Sequence, residues 1–177
     1  PWEKMLDHTV RAAFRNQGQI CLACPRIFVE RSKYDDFLHD FLHRVDQIKV
    51  GNPLNYQTTM GSLIGEDHYE KVMGYLKEID PKKHLAAGGA RPDHLPKGYF
   101  LKPTVLTDLS LDHAISKEEV FGPVVSVYPF DSEEEVINAV NDTPYGLSSS
   151  IYTSDLERAK RVASELRHGL LWINSWF

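Results

Sequence analysis

Cysteine is nearly absent from this chain: Cys21 and Cys24 are the two among 177 residues. That excludes a disulfide-stapled secreted scaffold and predicts a reducing, cytoplasmic setting. No apolar run approaches the roughly 18 residues a membrane-spanning helix needs. The opening Pro1-Trp2-Glu3-Lys4-Met5 is too polar for a signal peptide. There is no block of Lys and Arg either: 20 basic side chains face 25 acidic ones, a net charge of −5. A mildly acidic chain offers no electrostatic footprint for nucleic acid or an anionic membrane, so neither is expected as a partner. Internal repeats, low-complexity tracts and a G-x-G-x-x-G phosphate loop are also missing.

The remainder is ordinary globular composition, 42% apolar and 25% charged, long enough for one self-sufficient core. Trp2, Met5, Leu6, Val10, Ala13 and Phe14 recur at helical spacing, with Gly18 as a stop. A short strand is expected at Ile27-Phe28-Val29, then a helix capped by Ser32 with Phe37, Leu38, Phe41, Leu42 and Val45 inward. Another helix carries Tyr69, Val72, Met73, Leu76 and Ile79 and stops at Asp80-Pro81; residues 88–98 read as loop. Strands at Val124–Phe130, Ser149–Tyr152 and Leu170–Ile173 alternate with helices opened by Asp131 or Ser132 and by Ser154. Strand-helix-strand-helix-strand with short links predicts an α/β class, a parallel βαβ sheet with flanking helices. The chain opens on a helix and closes on Leu170-Leu171-Trp172-Ile173-Asn174-Ser175-Trp176-Phe177. Such an apolar, aromatic end is expected of a segment of a longer protein.

One motif is a decoy. Cys21-x2-Cys24, 14 residues, then His39-x3-His43 falls in the spacing window of a Cys2His2 zinc site. At 100° per residue from Tyr34, the apolar side chains of that helix cluster near about 20°, whereas His39 and His43 fall near about 140° and 180°. Binding zinc would turn the apolar face to water, so no metal is expected. A thioredoxin-like dithiol wants a strand before the cysteine pair and a helix starting at it, and the order here is the reverse.

Two segments remain. In Arg15-Asn16-Gln17-Gly18-Gln19-Ile20-Cys21 a small polar loop leads from a helix end to a thiol. A nucleophilic Cys needs such a setting, where backbone N–H groups stabilise the thiolate and later hold an oxyanion. The competing reading makes Cys21 a small buried hydrophobe, the commoner fate of a free thiol. In Ser116-Lys117-Glu118-Glu119-Val120-Phe121-Gly122-Pro123, Ser116 and Glu119 fit a capping box, S-x-x-E. Alternatively, Glu119 accepts from the two hydroxyls of a ribose while Phe121 packs a flat ring. The residues alone leave both pairs of readings open.

Together these segments resemble known motifs. Phe14-Arg15-Asn16-Gln17-Gly18-Gln19-Ile20-Cys21 is similar to the cysteine motif of the aldehyde dehydrogenase superfamily, and Glu118-Glu119-Val120-Phe121-Gly122-Pro123-Val124 to its cofactor-facing motif. Gly98-Tyr99-Phe100-x2-Pro103-Thr104-Val105, Asn141-Asp142-Thr143-x-Tyr145-Gly146-Leu147 and Trp172-Ile173-Asn174 match in order and spacing. The resemblance covers essentially the whole chain.

It implies that Cys21 attacks an aldehyde carbonyl to give a thiohemiacetal, that hydride passes to NAD or NADP, and that water hydrolyses the resulting thioester. The Cys21 N–H would form half of an oxyanion hole, Glu119 would bind the nicotinamide ribose, and Phe121 would pack near the nicotinamide. Asn174 would support the loop behind the thiol; His68 and Lys71 would lie toward the adenosine end. The resemblance further implies that the general-base Glu, the oxyanion-hole Asn and the NAD-binding domain precede Pro1. A Phe-Gly-Gly segment and the oligomerisation strand would follow Phe177. Residues 1–177 are thus expected to be the thiol-bearing catalytic domain of a homodimeric or homotetrameric enzyme, inactive alone as a dehydrogenase.

Within the superfamily, Asn174-Ser175-Trp176-Phe177 and Asp131-Ser132-Glu133-Glu134-Glu135 most resemble 2-hydroxymuconic and 2-aminomuconic semialdehyde dehydrogenases of aromatic catabolism. A broad aliphatic or betaine-type aldehyde dehydrogenase is the second expectation. A non-catalytic folding or association fragment with residual thiol esterase activity is the third.

Overall fold

The computed structural model describes residues 2–177; Pro1, the first residue of the expected domain, lies outside them. Helix α1 (Trp2–Phe14) buries Leu6, Ala12, Ala13 and Phe14 and ends in a turn, Arg15–Gly18. Strand β1 (Arg26–Glu30) leads through a short turn into α2 (Tyr34–Asp46), which buries Phe37, Phe41 and Val45 at the spacing the sequence predicts. Ser32 does not cap α2: its hydroxyl turns back to Glu30, and the helix starts behind Lys33 without a side-chain cap.

Helix α3 (Glu66–Lys77) buries Tyr69, Val72 and Leu76. Asp80 caps the short α4 (Pro81–His84), which runs into β2 (Leu85–Ala87). Strand β3 (Thr104–Thr107), helix α5 (Ala114–Lys117) and strand β4 (Val124–Phe130) follow. Helix α6 (Glu133–Asn141) is capped by Ser132, whose hydroxyl accepts from Glu135 N–H at 3.1 Å. Strand β5 (Ser148–Ile151), helix α7 (Leu156–Glu165) and strand β6 (Leu170–Ile173) complete the chain. Asp155, rather than Ser154, caps α7 and accepts from both Glu157 and Arg158 N–H at 3.0 Å.

The main sheet has the order β1-β4-β3-β2, with β1, β4 and β3 parallel and β2 antiparallel at the edge. β4 is central, and its run Val124–Tyr128 is buried throughout, as a parallel strand covered on both faces must be. Its side chains alternate between two cores. Val125 and Val127 join Leu6, Phe14, Phe37 and Phe41 beneath α1 and α2, while Val124 and Tyr128 join Tyr69, Val72 and Leu76 beneath α3.

The α/β class is as expected, but the last three strands do not share one sheet. Among the described residues β5 and β6 pair only with each other, in parallel through α7, from Ser148↔Leu170 to Ile151↔Ile173. β5 cannot follow β4 as its neighbour, because both edges of β4 are already taken, by β1 and by β3.

Candidate active site

The thiol is delivered by a contorted turn. After α1, Asn16 and Gln17 adopt φ of 50° and 58°, and Gly18 follows at 69°. Left-handed backbone is costly for the two amide residues, though Asn tolerates it better than most. Asn16 is held in place on both sides: its carbonyl accepts from Gln19 N–H and its side-chain amide donates to Gln19 O, each at 3.0 Å. Gln19 in turn accepts from Ile64 N–H at 3.0 Å, tying the turn to the segment before α3.

Gly18 is obligatory on two counts. Its φ is positive, and a Cβ there would sit 2.1 Å from the carbonyl oxygen of Gly122. That close approach packs the thiol turn directly onto the Glu119–Gly122 loop. The two candidate segments, a hundred residues apart in sequence, therefore meet in space.

Cys21 is exposed, so it is not the small buried hydrophobe of the blander reading. It occupies a corner of a tight turn closed by Ala23 N–H donating to Ile20 O at 2.9 Å. Cys24 differs: it is half-buried, its N–H donates to Ala12 O at 3.1 Å, and desolvation pushes its thiol up to about 11.

The second segment is not a helix cap. α5 ends at Lys117 and Glu118 is extended, with ψ of 161°, so no helix continues through Glu119 for a capping box to close. Ser116 instead lies buried inside α5. Its hydroxyl donates to Ser110 O at 2.8 Å and meets Tyr128 Oη at 2.5 Å. The Glu119 carboxylate is left exposed, with no hydrogen-bond partner among the described residues.

The Glu119 main chain is held instead by side chains. Lys71 Nζ donates to its carbonyl at 3.1 Å, and its N–H donates to Tyr145 Oη at 3.3 Å. Phe121 sits at φ 58°; its carbonyl accepts from His68 Nε2 at 2.6 Å, and the imidazole lies edge-on to its ring at 6.2 Å. Tyr75 donates to Glu118 Oε2 at 2.6 Å, which drives the phenol up to about 12. His68, Lys71 and Tyr75 stand three and four residues apart on α3, so one helix face grips the whole loop. Their local role is to hold the Glu118–Phe121 segment, a role that sequence spacing did not reveal.

Asn174 is strained into φ 53° and clasps the exit of β5: its Oδ1 accepts from Thr153 N–H at 3.0 Å and its Nδ2 donates to Thr153 O at 2.9 Å. It makes no hydrogen bond to residues 20–24. Two residues on, the indole Nε1 of Trp176 donates to Leu22 O at 3.0 Å, and sequence reasoning missed it because nothing in W-x-N-x-W marks which tryptophan reaches back.

Among the described residues no group of three or more His, Cys, Asp and Glu is placed to hold a metal ion. His39 and His43 are exposed on the polar side of α2, and His39 Nδ1 pairs with its neighbour Asp40 at 3.1 Å. A cleft of about 580 Å³ opens between α4, the loop after β3, the end of β4 and α6, bordered by His84, Leu111, His113 and Ala139; neither the thiol turn nor the Glu119 loop lines it.

An α/β scaffold that packs an exposed thiol turn against a carboxylate-and-aromatic loop defines the class. Residues 2–177 match the aldehyde dehydrogenase family, and the chain belongs to it. It is 44% identical over 174 residues to the 2-aminomuconic semialdehyde dehydrogenase of Bos taurus, covering 95% of this chain and 36% of that protein. It is 40% identical over 179 residues to the 2-hydroxymuconic semialdehyde dehydrogenase of Pseudomonas putida, covering 99% and 37%. Its structure superposes on the betaine aldehyde dehydrogenase of Staphylococcus aureus in complex with NAD+ with a TM-score of 0.94 at 37% identity, over 99% of this chain and 36% of that one. The chain thus spans little more than a third of the length of the relatives it matches.

Proposed function

We propose that this chain supplies the thiol-bearing catalytic domain of an NAD(P)-dependent aldehyde dehydrogenase that oxidises a carboxylated semialdehyde to the acid. The observation that carries the reading is the close packing of Gly18 on Gly122, which brings the turn leading to Cys21 against the loop bearing Glu119 and Phe121.

In this reading the Cys21 sulfur attacks the aldehyde carbonyl carbon, and the carbonyl oxygen takes up negative charge near the Cys21 N–H. The exposed Glu119 carboxylate, without a hydrogen-bond partner among the described residues, fits the two hydroxyls of a nicotinamide ribose, and Phe121 offers a flat apolar neighbour for the ring. NAD(P)+, when bound, supplies the hydride acceptor. Cys21 then holds the acyl group as a thioester until water releases the acid and restores the thiol. Asn174 acts at one remove, by shaping the segment that leads to Trp176.

The muconic semialdehyde dehydrogenases among the relatives favour a carboxylated semialdehyde. A betaine-type substrate is the second reading, favoured by the Staphylococcus aureus superposition and by a 41%-identical betaine aldehyde dehydrogenase of Bacillus subtilis. In the dehydrogenase that carries this chain, Cys21→Ala is expected to abolish turnover while leaving NAD(P)+ affinity nearly intact. More than a few per cent of residual kcat would remove Cys21 from the nucleophile's role. A higher kcat/KM for betaine aldehyde than for the muconic semialdehydes would decide for the second substrate class.

A further inference from the structure

The turn carrying Cys21 has few attachments. Gly18 presses on Gly122 before it, and Cys24 N–H is fastened to Ala12 O after it. Between those points one peptide unit, Leu22 C=O with Ala23 N–H, does the holding. Its N–H donates to Ile20 O at 2.9 Å and closes the turn in which Cys21 is a corner residue. Its carbonyl accepts the Trp176 indole N–H at 3.0 Å. Among the described residues that indole makes the only side-chain hydrogen bond to residues 20–24. Trp176 is 5% exposed, and the left-handed Asn174 turns the chain after β6, where the indole reaches Leu22.

We propose that Trp176 is a positioning residue for the nucleophile. By holding the carbonyl end of a peptide plane whose N–H end closes the turn, it fixes the corner from which the Cys21 sulfur and the Cys21 N–H both point. Those two groups must converge on one carbonyl, so small displacements of the corner cost rate more than affinity. Phe has no ring donor, and the Tyr hydroxyl projects from the ring tip rather than the edge, so neither reproduces the bond. The inference rests on the reading of Cys21 as nucleophile.

The test uses the dehydrogenase that carries this chain, with Trp176→Phe and with Trp176 replaced by 3-benzothienylalanine, which keeps the bicyclic shape and puts sulfur in place of the N–H. Both variants are expected to lose about tenfold in kcat with KM changed less than about threefold, and the benzothienyl variant is expected to keep its Tm. A benzothienyl variant with unchanged kcat overturns the proposal, whatever Trp176→Phe does to folding; so does a fall confined to Tm. Cys21→Ala measured alongside separates the two levels. Turnover surviving in that variant defeats the nucleophile assignment itself, whereas an inactive Cys21→Ala beside fully active Trp176 variants defeats only the positioning role.

Discussion

At the scale of single residues, the two cysteines show how strongly a few residues of spacing change a thiol. Cys21 is exposed at a turn corner, while burial raises Cys24 to about 11 from an ordinary value of 9.0. Because the folded value lies above the unfolded one, the stability from keeping Cys24 neutral is complete below about pH 9 and is lost as pH rises through about 11. Iodoacetamide at pH 8 is therefore expected to label Cys21 within minutes and to leave Cys24 intact until the chain is unfolded. Peptide mapping by mass spectrometry that found Cys24 modified first would contradict the burial argument. Glu119 gives a second test. With no helix to cap, Glu119→Gln is expected to leave Tm unchanged; if the proposed function holds, in the dehydrogenase that carries this chain it slows hydride transfer about tenfold by exchanging a charged acceptor for an amide. A lowered Tm with an unchanged hydride-transfer rate would mean that Glu119 serves the fold alone.

At the scale of elements, Ser132 is the cap whose removal reads most directly. Its hydroxyl satisfies Glu135 N–H, and Glu135 Oε2 returns a bond to Asp131 N–H at 2.7 Å, so the first turn of α6 is closed from both sides. Ser132→Ala is expected to cost about 1 kcal/mol in chemical denaturation with an unchanged m-value; a loss below a few tenths would mean that water replaces the hydroxyl. The long amphipathic elements were legible because burial repeats along them: Phe37, Phe41 and Val45 on α2, and the unbroken apolar run of β4. The helix starts were read less well. Ser32 and Ser154 are good caps by type, but packing sets where helical backbone begins, and it placed Lys33 and Asp155 there. The four-residue β3 and three-residue β2 are too short to show a period at all. The S-x-x-E pattern at Ser116 fits a cap by residue type alone, and the structure rejects that reading. A capping box is a statement about the helix that follows, and α5 stops one residue after the serine.

At the scale of the whole molecule, the site is assembled across two units of unequal solidity. The central strands β3 and β4 are buried on both faces, with Val105, Leu106, Val125 and Val127 fully enclosed. The β5-α7-β6 unit is not: both strands are half-buried or exposed, α6 has no buried residue, and α7 has only Ala159. Polar contacts tie this unit and the adjoining α6 to the rest of the chain. Arg26 donates to the carbonyls of Ala139 and Val140 at 3.1 and 3.2 Å, His8 meets Tyr152 Oη at 3.1 Å, Lys117 pairs with Asp142, and Trp176 reaches Leu22. Such contacts stabilise modestly, because water competes for each of them, whereas the apolar enclosure of β4 has no substitute in solvent. The β5–β6 unit therefore opens at a lower free energy than the main sheet. Hydrogen exchange on this chain is expected to show amides of β5 and β6 exchanging at least about tenfold faster than those of β4 and β3. Equal protection across both sheets would show that the polar contacts hold as firmly as the core. The difference bears on chemistry, because Asn174 and Trp176 ride on the softer unit while Cys21 and Glu119 ride on the harder one. Anything that steadies β5 and β6 steadies the indole against Leu22 O and, on the proposed reading of Cys21 as nucleophile, the geometry of the thiol turn.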